Sequence, residues 1–504
     1  MSAASTNTSP GSTPRLPALA YLPKSQDQLD IEKSSGDTEA DQASTQDEYT
    51  STPAAGTFPP GSPHDPRNLS ALRKWVCTLT VCAAALCVTC TSSIYTTTYP
   101  LLTISFGTAE LVNVLGLSIF VLGMGIGPLL LSPLSEFFGR RPIYLCSFST
   151  FTVALLPCAW APNIAVLLVF RFVSGMCGSA FLSVAGGTVG DMFAGEALGA
   201  PMMMFTASPF VGPVLGPLIG GFIRAGGLSW RWVFWVTAIW SFVQTVAIYF
   251  LVPETYAPVL LARMEKGGVE VKAWEVASTV GRSCRRPMQL LLLEPMLASL
   301  CCFTAVLLGI LYLFFQSFPL VFGEVHGMEV QQVGLVFLGL LVGMVVCTLT
   351  DPLWRWCYNE MARRAGGEKQ PEMRLPSGVV GGVMIPVGLF IFAWTGRVDI
   401  HWIVPVVGAG LFAGGTVLVF QAVFTFLVEA YPLYAASALA ANSFTRSVFA
   451  AGFPLFSGAL YDSLGIAKAG TVLACLCLPM APVMGAFMIW GHRLRARSRF
   501  AGRK

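Results

Sequence analysis

Long apolar runs separated by short polar segments occupy the chain from about residue 76 to residue 490. A helix needs about 20 apolar residues to cross the hydrocarbon core of a bilayer, which is about 30 Å thick. Runs of this length occur twelve times, and a longer polar connection follows the sixth. The predicted spans are roughly 76–97, 111–133, 143–161, 164–188, 202–223 and 233–252 before that connection, and 296–318, 330–350, 378–395, 402–428, 436–461 and 467–490 after it. The pattern predicts twelve transmembrane helices in two groups of six.

The composition supports this prediction. Hydrophobic residues make up 54% of the 504 residues and charged residues only 12%, whereas about a quarter of a soluble domain is charged. The 14 cysteines fall mostly within the apolar runs and show neither a disulfide framework nor zinc spacing. The net charge of +4 does not indicate a nucleic-acid surface. We interpret the chain as an all-α integral membrane protein that contacts the lipid bilayer and binds no metal and no nucleic acid.

Polar and charged residues divide the chain into five segments. Residues 1–67 are rich in Ser, Thr, Pro, Gly and acids, which predicts a disordered tail. Six-helix bundles are predicted at 68–252 and 296–490, a polar central loop at 253–295, and a basic tail at 491–504. Lysine and arginine are concentrated on the side of the membrane that carries the tails, whereas the opposite loops hold only Arg224, Arg231, Arg397 and Lys468. The positive-inside rule therefore predicts that both termini are cytosolic.

The fifth predicted span contains a tandem of glycine and proline, Gly212-Pro213-Val214-Leu215-Gly216-Pro217-Leu218-Ile219-Gly220-Gly221. Gly212, Gly216 and Gly220 are four residues apart and form one flat stripe, which lets another helix approach backbone to backbone. Pro213 and Pro217 remove backbone donors, which a membrane helix tolerates when its neighbours compensate. We predict a helix that moves during function.

A second cluster of motif residues follows the second predicted span. Glu136, Gly139, Arg140 and Arg141 lie in the loop between spans 2 and 3, and Asp191 lies at the end of span 4. A glycine turn flanked by a carboxylate and two arginines can lock the ends of neighbouring helices, and Asp191 can pair with either arginine. The alternative is that these arginines serve only as positive-inside anchors.

These motifs resemble those of a known family. The span 5 tandem resembles the antiporter motif of major facilitator exporters, and residues 132–142 resemble their loop motif, with Glu136 where aspartate is usual. The string Pro253-Glu254-Thr255-Tyr256 after span 6 resembles a signature of the fungal drug:proton antiporters with twelve spans. The resemblance covers residues 65–490. It implies the major facilitator fold of two six-helix bundles, a monomer that works by alternating access, and a proton gradient in place of a cofactor.

That fold predicts which small residues face each other across the bundles. Gly339 and Gly343 of span 8 are predicted to face the glycine stripe of span 5. Small residues of span 11 are predicted to face small residues of span 2, namely Ala435, Ala438 and Ala441 against Gly123 and Gly127. Close packing at both places would let the bundles rock. Packing alone is the alternative for each residue.

Few polar side chains lie deep in the predicted spans. Arg171 and Arg446 do, while no Asp or Glu lies at mid-span. An arginine in hydrocarbon costs about 3 kcal/mol or more unless it faces protein or a water-filled cavity, so both are candidates for proton coupling in the cavity. The resemblance implies that Arg171 faces the cavity, and the alternative is a structural arginine bonded to backbone carbonyls. Candidate cavity side chains, each of which otherwise needs a partner on a neighbouring helix, are Tyr95, Gln244, Tyr312, Gln316, Gln421 and Asn442.

The functional prediction combines these residues with what is missing. The sequence contains no nucleotide-binding loop and no nucleophile with its base, so an enzyme such as a membrane acyltransferase is disfavoured. We expect proton-coupled export of a small neutral or anionic organic solute, such as a secondary metabolite, an organic acid or a xenobiotic, across the fungal plasma membrane or the vacuolar membrane. A polyamine or other cation exporter remains an alternative on the same fold. A non-transporting solute sensor is an alternative of another class.

Overall fold

The computed structural model describes residues 58, 62, 64–193, 195–266, 273–367, 370–431 and 434–498, and this part of the chain is helical without β-strands. Most of the predicted N-terminal tail, and residues 499–504 of the predicted basic tail, lie outside the described residues. The helices of the first half are α1 (Ala71–Ile94), α2 (Tyr99–Phe106), α3 (Glu110–Phe138), α4 (Arg140–Ala159), α5 (Ile164–Gly178), α6 (Ala180–Met192), α7 (Gly199–Ala225) and α8 (Arg231–Leu251). Those that follow are α9 (Ala257–Lys266), α10 (Ala273–Leu293), α11 (Pro295–Phe318), α12 (Val330–Val336), α13 (Leu338–Thr348), α14 (Asp351–Arg364), α15 (Pro376–Thr395), α16 (Ile403–Ala430), α17 (Ala435–Cys477) and α18 (Met480–Arg497).

Eleven helical segments of the described chain, rather than the predicted twelve, are long and apolar enough to cross a membrane. The last of them, Ala435–Ala496, has 62 residues. At 1.5 Å per residue it would measure about 90 Å, three times the hydrocarbon thickness, so it holds two crossings. Gly465 separates them with φ 70° and ψ 167°, a conformation that glycine adopts without steric cost. This glycine turn lies between the predicted end of span 11 and the predicted start of span 12, where we expected a polar loop.

The central connection also differs from the predicted loop, because it contains the helices α9 and α10. Helix α10 packs against α3 of the first half and α17 of the second. Cys284 of α10 lies 3.9 Å from the carbonyl oxygen of Leu129 in α3, and the Arg286 guanidinium lies 6.0 Å from the ring of Tyr434 before α17. The connection therefore bridges the two halves.

Helix packing within each half is extensive. Helix α1 packs on α7 and α3 on α5 in the first half, while α15 packs on α16 and α11 on α17 in the second. Between the halves, α3 contacts α17, and α7 contacts α12. We call the end of the bundle that carries Arg140, Arg374 and Ser498 the terminal face, because the described chain begins and ends there. Beside these contacts, a cleft between the halves reaches this face.

Candidate functional site

A cavity of about 670 Å³ lies between the two halves at the terminal face. Its wall on the first half is the start of α7, and its wall on the second half comes from α13, α14 and α16. Apolar side chains form most of the lining, including Leu198, Met202, Met203, Phe210, Val417, Phe420 and Phe424. Phe210 of α7 and Phe420 of α16 meet across the halves with ring centroids 4.9 Å apart. The cavity suits a solute with an apolar body.

Charged side chains gather on the second-half wall of this cavity. The Asp351 carboxylate is 2.6 Å from Nε of Arg355 and accepts a hydrogen bond from the Gln421 side chain. The second pair is formed by Arg374, which lies 2.8 Å from the Glu429 carboxylate and stacks on the ring of Tyr358 at 3.6 Å. The cavity thus offers paired charges at one side and apolar surface at the other.

The far end of the cleft is closed where α7 meets α12. A Cβ added at Gly221 would lie 2.9 Å from the carbonyl oxygen of Val330. One added at Gly334 would lie 2.8 Å from the carbonyl oxygen of Pro217. The backbones of α7 and α12 therefore touch at this place, away from the residues that line the cavity.

The glycine stripe of span 5 has a partner different from the predicted one. A Cβ at Gly212 would lie 2.8 Å from the Leu86 carbonyl oxygen, and one at Gly216 would lie 2.9 Å from the Ser93 carbonyl carbon, so the stripe packs on α1 of its own half. Gly220 continues the stripe against Thr97. The prediction that span 8 faces this stripe is therefore wrong for these three glycines, and among the glycines of the tandem only the adjacent Gly221 lies against span 8.

The glycines of spans 8 and 2 that were predicted to face spans 5 and 11 pack within their own halves instead. Gly339 and Gly343 pack on Val406 and Gly410 of α16, inside the second half. Both predicted span 2 partners pack inside the first half, with Gly123 against Phe172 and Met176 and Gly127 against Met176 and Ser179. Spans 2 and 11 do pack together, as α3 and α17, but the glycine of α3 at that contact is Gly125, whose added Cβ would lie 3.1 Å from Oγ of Ser447.

Arg171 is completely buried in the first half. Its guanidinium donates to the carbonyl oxygens of Thr91 at 2.9 Å, Ser92 at 3.3 Å and Gly116 at 3.2 Å. It lies between the rings of Tyr95 and Phe120, 4.3 and 4.4 Å from their centroids. Thr91 and Ser92 are in the last turn of α1, before the 3-10 helix Tyr95–Thr98, where carbonyls accept extra donors. In this conformation Arg171 is bonded to backbone carbonyls, as in the alternative of a purely structural arginine. It does not line the cavity.

Arg446 of α17 has a different environment. Its guanidinium lies 5.5 Å from the ring of Phe420 and 5.8 Å from that of Phe424, both of which line the cavity. Its Nε is buried without a hydrogen-bond partner. Arg446 is therefore the deep charge that lies next to the cavity.

The predicted cavity side chains are mostly elsewhere. Gln421 lines the cavity, as described above. Gln244 donates to the Thr80 carbonyl at 2.6 Å, and Asn442 donates to Oγ1 of Thr304, also at 2.6 Å. Tyr312 of α11 shares a 3.0 Å hydrogen bond with Ser92 of α1, which joins the two halves. Tyr95 stacks on Arg171, and Gln316 keeps its side-chain oxygen buried without a partner.

The predicted lock at the terminal face is assembled around Arg140. Its Nε lies 3.3 Å from the Asp191 carboxylate, its Nη1 donates to Ser135 at 2.7 Å, and its guanidinium lies 4.7 Å from the ring of Tyr256. Burial beside Glu136 raises the pKa of Tyr256 to about 12, so its ring stays neutral.

Two other residues of this motif, Gly139 and Arg141, contact residues outside the loop. Arg141 donates to the Tyr249 carbonyl at 2.7 Å. Gly139 has φ 97° and lies so close to the Glu254 carboxylate that a side chain has no room. Glu136 forms no ion pair with this network in the described part of the chain.

Sequence reasoning missed two carboxylates of the site. Glu254, which entered only as part of a family signature, accepts backbone hydrogen bonds from Arg140 at 2.9 Å and Arg141 at 3.2 Å, so it caps the N-terminus of α4. Asp351 lies directly after the apolar run of span 8 and is absent from the predicted site residues. An acidic residue followed by proline at the start of a helix was the available signal.

Comparisons with known proteins agree on one family. The family model of the Major Facilitator Superfamily matches residues 81–454. Efflux pump atB of Aspergillus terreus is 51% identical over 399 residues, which cover 76% of this chain and 84% of that protein. The probable drug/proton antiporter YHK8 of Saccharomyces cerevisiae is 37% identical over 449 residues, covering 86% of this chain and 87% of that protein. The MFS-type efflux pump MFS2 of Trichophyton rubrum is 40% identical over 456 residues, covering 88% and 76%.

Solved structures show the same fold at low identity. The inward-open xylose transporter XylE from E. coli matches with a TM-score of 0.62 at 14% identity, over 82% of this chain and 96% of that one. The partially occluded inward-open form of XylE matches with a TM-score of 0.59 at 15% identity, over 82% and 99%. These similarities concern the fold alone.

Proposed function

Because the chain belongs to the major facilitator superfamily and is a multi-pass membrane transporter rather than an enzyme, we propose that it exports a small organic solute in exchange for protons. The relatives that are named as efflux pumps and as a drug/proton antiporter support export and proton coupling. The assignment to the efflux transporters of this superfamily rests on those relatives together.

One observation carries the mechanism, namely the cavity between the halves that is open at the terminal face and closed where α7 meets α12. A carrier that alternates between two such states needs tight halves and separable contacts between them. We propose that the halves rock about the α3–α17 contact. The α7–α12 contact then opens while the cavity walls at the terminal face close.

The cavity lining supports a neutral or anionic solute with an apolar body. Asp351 and Glu429 are each paired with an arginine, and Arg446 adds a cation beside the apolar wall. At an effective dielectric constant of about 20, two unit charges about 6 Å apart interact by roughly 3 kcal/mol, which equals on the order of a hundredfold in affinity. A secondary metabolite, organic acid or xenobiotic therefore fits better than a polyamine.

Proton exchange requires a group that can release a proton, and arginine cannot do so in a protein. Asp351 is a carboxylate that lines the cavity, and it is 6% exposed. We assign the proton to this carboxylate, whose protonation would release Arg355 and Gln421. Arg446 would then act on the solute rather than on the proton.

The proposal also includes the orientation of the transporter, its membrane and its oligomeric state. Arginine and lysine enrichment supports a cytosolic terminal face, so the described conformation would load solute from the cytosol. We place the transporter in the plasma membrane, with the vacuolar membrane as the alternative, and we expect it to work as a monomer.

The experiment uses the purified full-length chain in vesicles that trap a pH-sensitive dye. Benzoate, cycloheximide and spermidine serve as the acidic, neutral and polycationic probes. We expect saturable, gradient-driven transport of the acidic or neutral probe, with loss of proton coupling in Asp351→Asn. Glu360→Gln is the matched control, because Glu360 is a carboxylate on the same helix that pairs with Arg363 and Arg364.

The other outcomes favour a different function or refute part of this proposal. Saturable transport of spermidine alone would favour the polyamine exporter. Binding of a probe without flux would favour the solute sensor, and flux that ignores the pH gradient would refute proton coupling. Unchanged coupling in Asp351→Asn would refute the assignment of the proton.

A further inference from the structure

The end of the described chain is fastened to the second half by two buried carboxylates. Arg495 of α18 donates to both oxygens of Glu372, at 2.7 and 2.9 Å. Ser498 donates from Oγ to Oε1 of Glu294 at 2.7 Å. Glu294 and Glu372 are 5% and 4% exposed, and Ser498 is 8% exposed. We call these two interactions the C-terminal latch.

The latch joins the terminal-face ends of several spans. Glu294 directly precedes α11, and its second carboxylate oxygen accepts a hydrogen bond at 3.3 Å from Tyr431, which follows α16. Glu372 lies in the 3-10 turn Pro371–Arg374 that precedes α15. The end of the chain therefore holds together the starts of α11 and α15 and the end of α16.

The latch is also continuous with the cavity. Arg374 lies in the same 3-10 turn as Glu372 and lines the cavity, where it pairs with Glu429 and stacks on Tyr358. A displacement of Glu372 would move this turn and with it the charged cavity wall. The latch is thus placed to influence access to the cavity.

We propose that Ser498 is a phosphorylation site for a basophilic protein kinase and that its phosphate opens the C-terminal latch. Arg493 and Arg495 precede Ser498 by five and three residues. Basic side chains at such positions match the acidic substrate grooves by which these kinases select their sites. In the reaction, Oγ of Ser498 bonds to the γ-phosphorus of ATP, ADP leaves with the bridging oxygen, and the hydroxyl proton passes to the base of the kinase.

Electrostatics decide what the phosphate does. It carries a charge of about −1.5 to −2 and would replace a hydroxyl that now donates to the buried Glu294 carboxylate. The donor is lost, and two anions would share a site from which water is excluded. At an effective dielectric constant of about 20 and a separation of about 5 Å, this repulsion shifts the docking equilibrium by on the order of a hundredfold or more.

The kinase reaches Ser498 when the last turn of α18 opens, because little apolar packing adds to the polar interactions of the latch. Leu494 is 42% exposed and Arg493 is exposed, so few apolar contacts fix this turn. Segments with few buried apolar contacts open locally at low cost. Phosphorylation would occur in the open form and prevent it from closing again.

The test uses the purified full-length chain, the catalytic subunit of cAMP-dependent protein kinase and ATP. Mass spectrometry should locate the phosphate on Ser498, and Arg493→Ala should reduce its rate of incorporation about tenfold while leaving the latch intact. Trypsin cleavage after Arg495 should accelerate at least about tenfold after phosphorylation, as it should in Ser498→Glu. Ser498→Gln, which has the same size without charge, should accelerate cleavage much less.

Absence of phosphate from Ser498, both in the native chain and after detergent denaturation, would overturn the site. Unchanged cleavage after stoichiometric phosphorylation would overturn the latch mechanism, and equal cleavage of Ser498→Gln and Ser498→Glu would overturn its electrostatic cause. These readouts do not depend on transport, so they remain valid if the proposed function fails.

Discussion

Replacement of Arg171 by methionine should destabilise the first half of the transporter, and not only stop transport. The change removes the guanidinium hydrogen bonds to the carbonyl oxygens of Thr91, Ser92 and Gly116, each worth about 1.5–3 kcal/mol because the donor is charged. It also removes two ring contacts worth roughly 0.5–2 kcal/mol each. Because a buried charge no longer has to be desolvated, part of this loss is recovered. We expect a net loss of about 3 kcal/mol.

Arg446→Met is the matched comparison, since both residues are deep arginines. Arg446 forms no hydrogen bond with another described residue, and its contacts are the rings of Phe420 and Phe424 at the cavity. We expect a stability change of about 1 kcal/mol or less together with a loss of solute transport. Arg171→Lys should lie between wild type and Arg171→Met, because one ammonium group cannot reproduce the planar fork of donors.

The assay is thermal unfolding of the detergent-solubilised protein, followed by transport in vesicles with equal amounts of folded protein. The expected ranking of stability is wild type and Arg446→Met above Arg171→Lys, and Arg171→Lys above Arg171→Met. Wild-type stability of Arg171→Met, or a larger loss in Arg446→Met, would refute the division between an anchoring and a cavity arginine.

Three further substitutions test the packing and the lock. Gly216→Leu should lower the abundance of folded protein, because the new side chain would overlap the α1 backbone at Ser93. Normal abundance with altered access of solute to the cavity would instead show that this glycine lies at the rocking interface. Gly334→Leu, opposite Pro217, should instead keep the protein folded and hold the α7–α12 contact open, which labelling of cysteines introduced at that face can measure. Glu254→Gln should cost about 1–2 kcal/mol in thermal unfolding by weakening the N-terminal cap of α4, and equal stability would show that the charge is unimportant.

Apolar run length was enough to predict nearly all the membrane-spanning helices, because hydrocarbon thickness fixes how much apolar chain a crossing needs. The same argument could not predict α9, α10 and α14, whose sequences mix charged and apolar residues. Gly465 explains the difference in the number of apolar helices. A single residue in a glycine-favoured conformation can turn the chain without the polar loop that hydropathy detects.

The glycine pattern was sufficient to predict close approach but not the partner. Spacing of four places Gly212 and Gly216 on one face, and both do pack against backbone. Which helix occupies that face depends on the arrangement of the whole bundle, which residue spacing does not contain. Similarly, the sequence showed that Arg171 had to be compensated, but both water and carbonyl oxygens can compensate an arginine.

The distribution of tight contacts explains how such a chain can be both stable and mobile. Within the first half, Gly216 meets backbone and Arg171 ties α5 to the end of α1 and to α3, so in the proposed rocking we expect this half to move as one body. Ser92 belongs to that body through its carbonyl, yet its hydroxyl reaches Tyr312 in the second half. A single neutral hydrogen bond of this kind contributes only about 1 kcal/mol net. Rocking can therefore break the link at small cost while the arginine network that positions Ser92 stays intact.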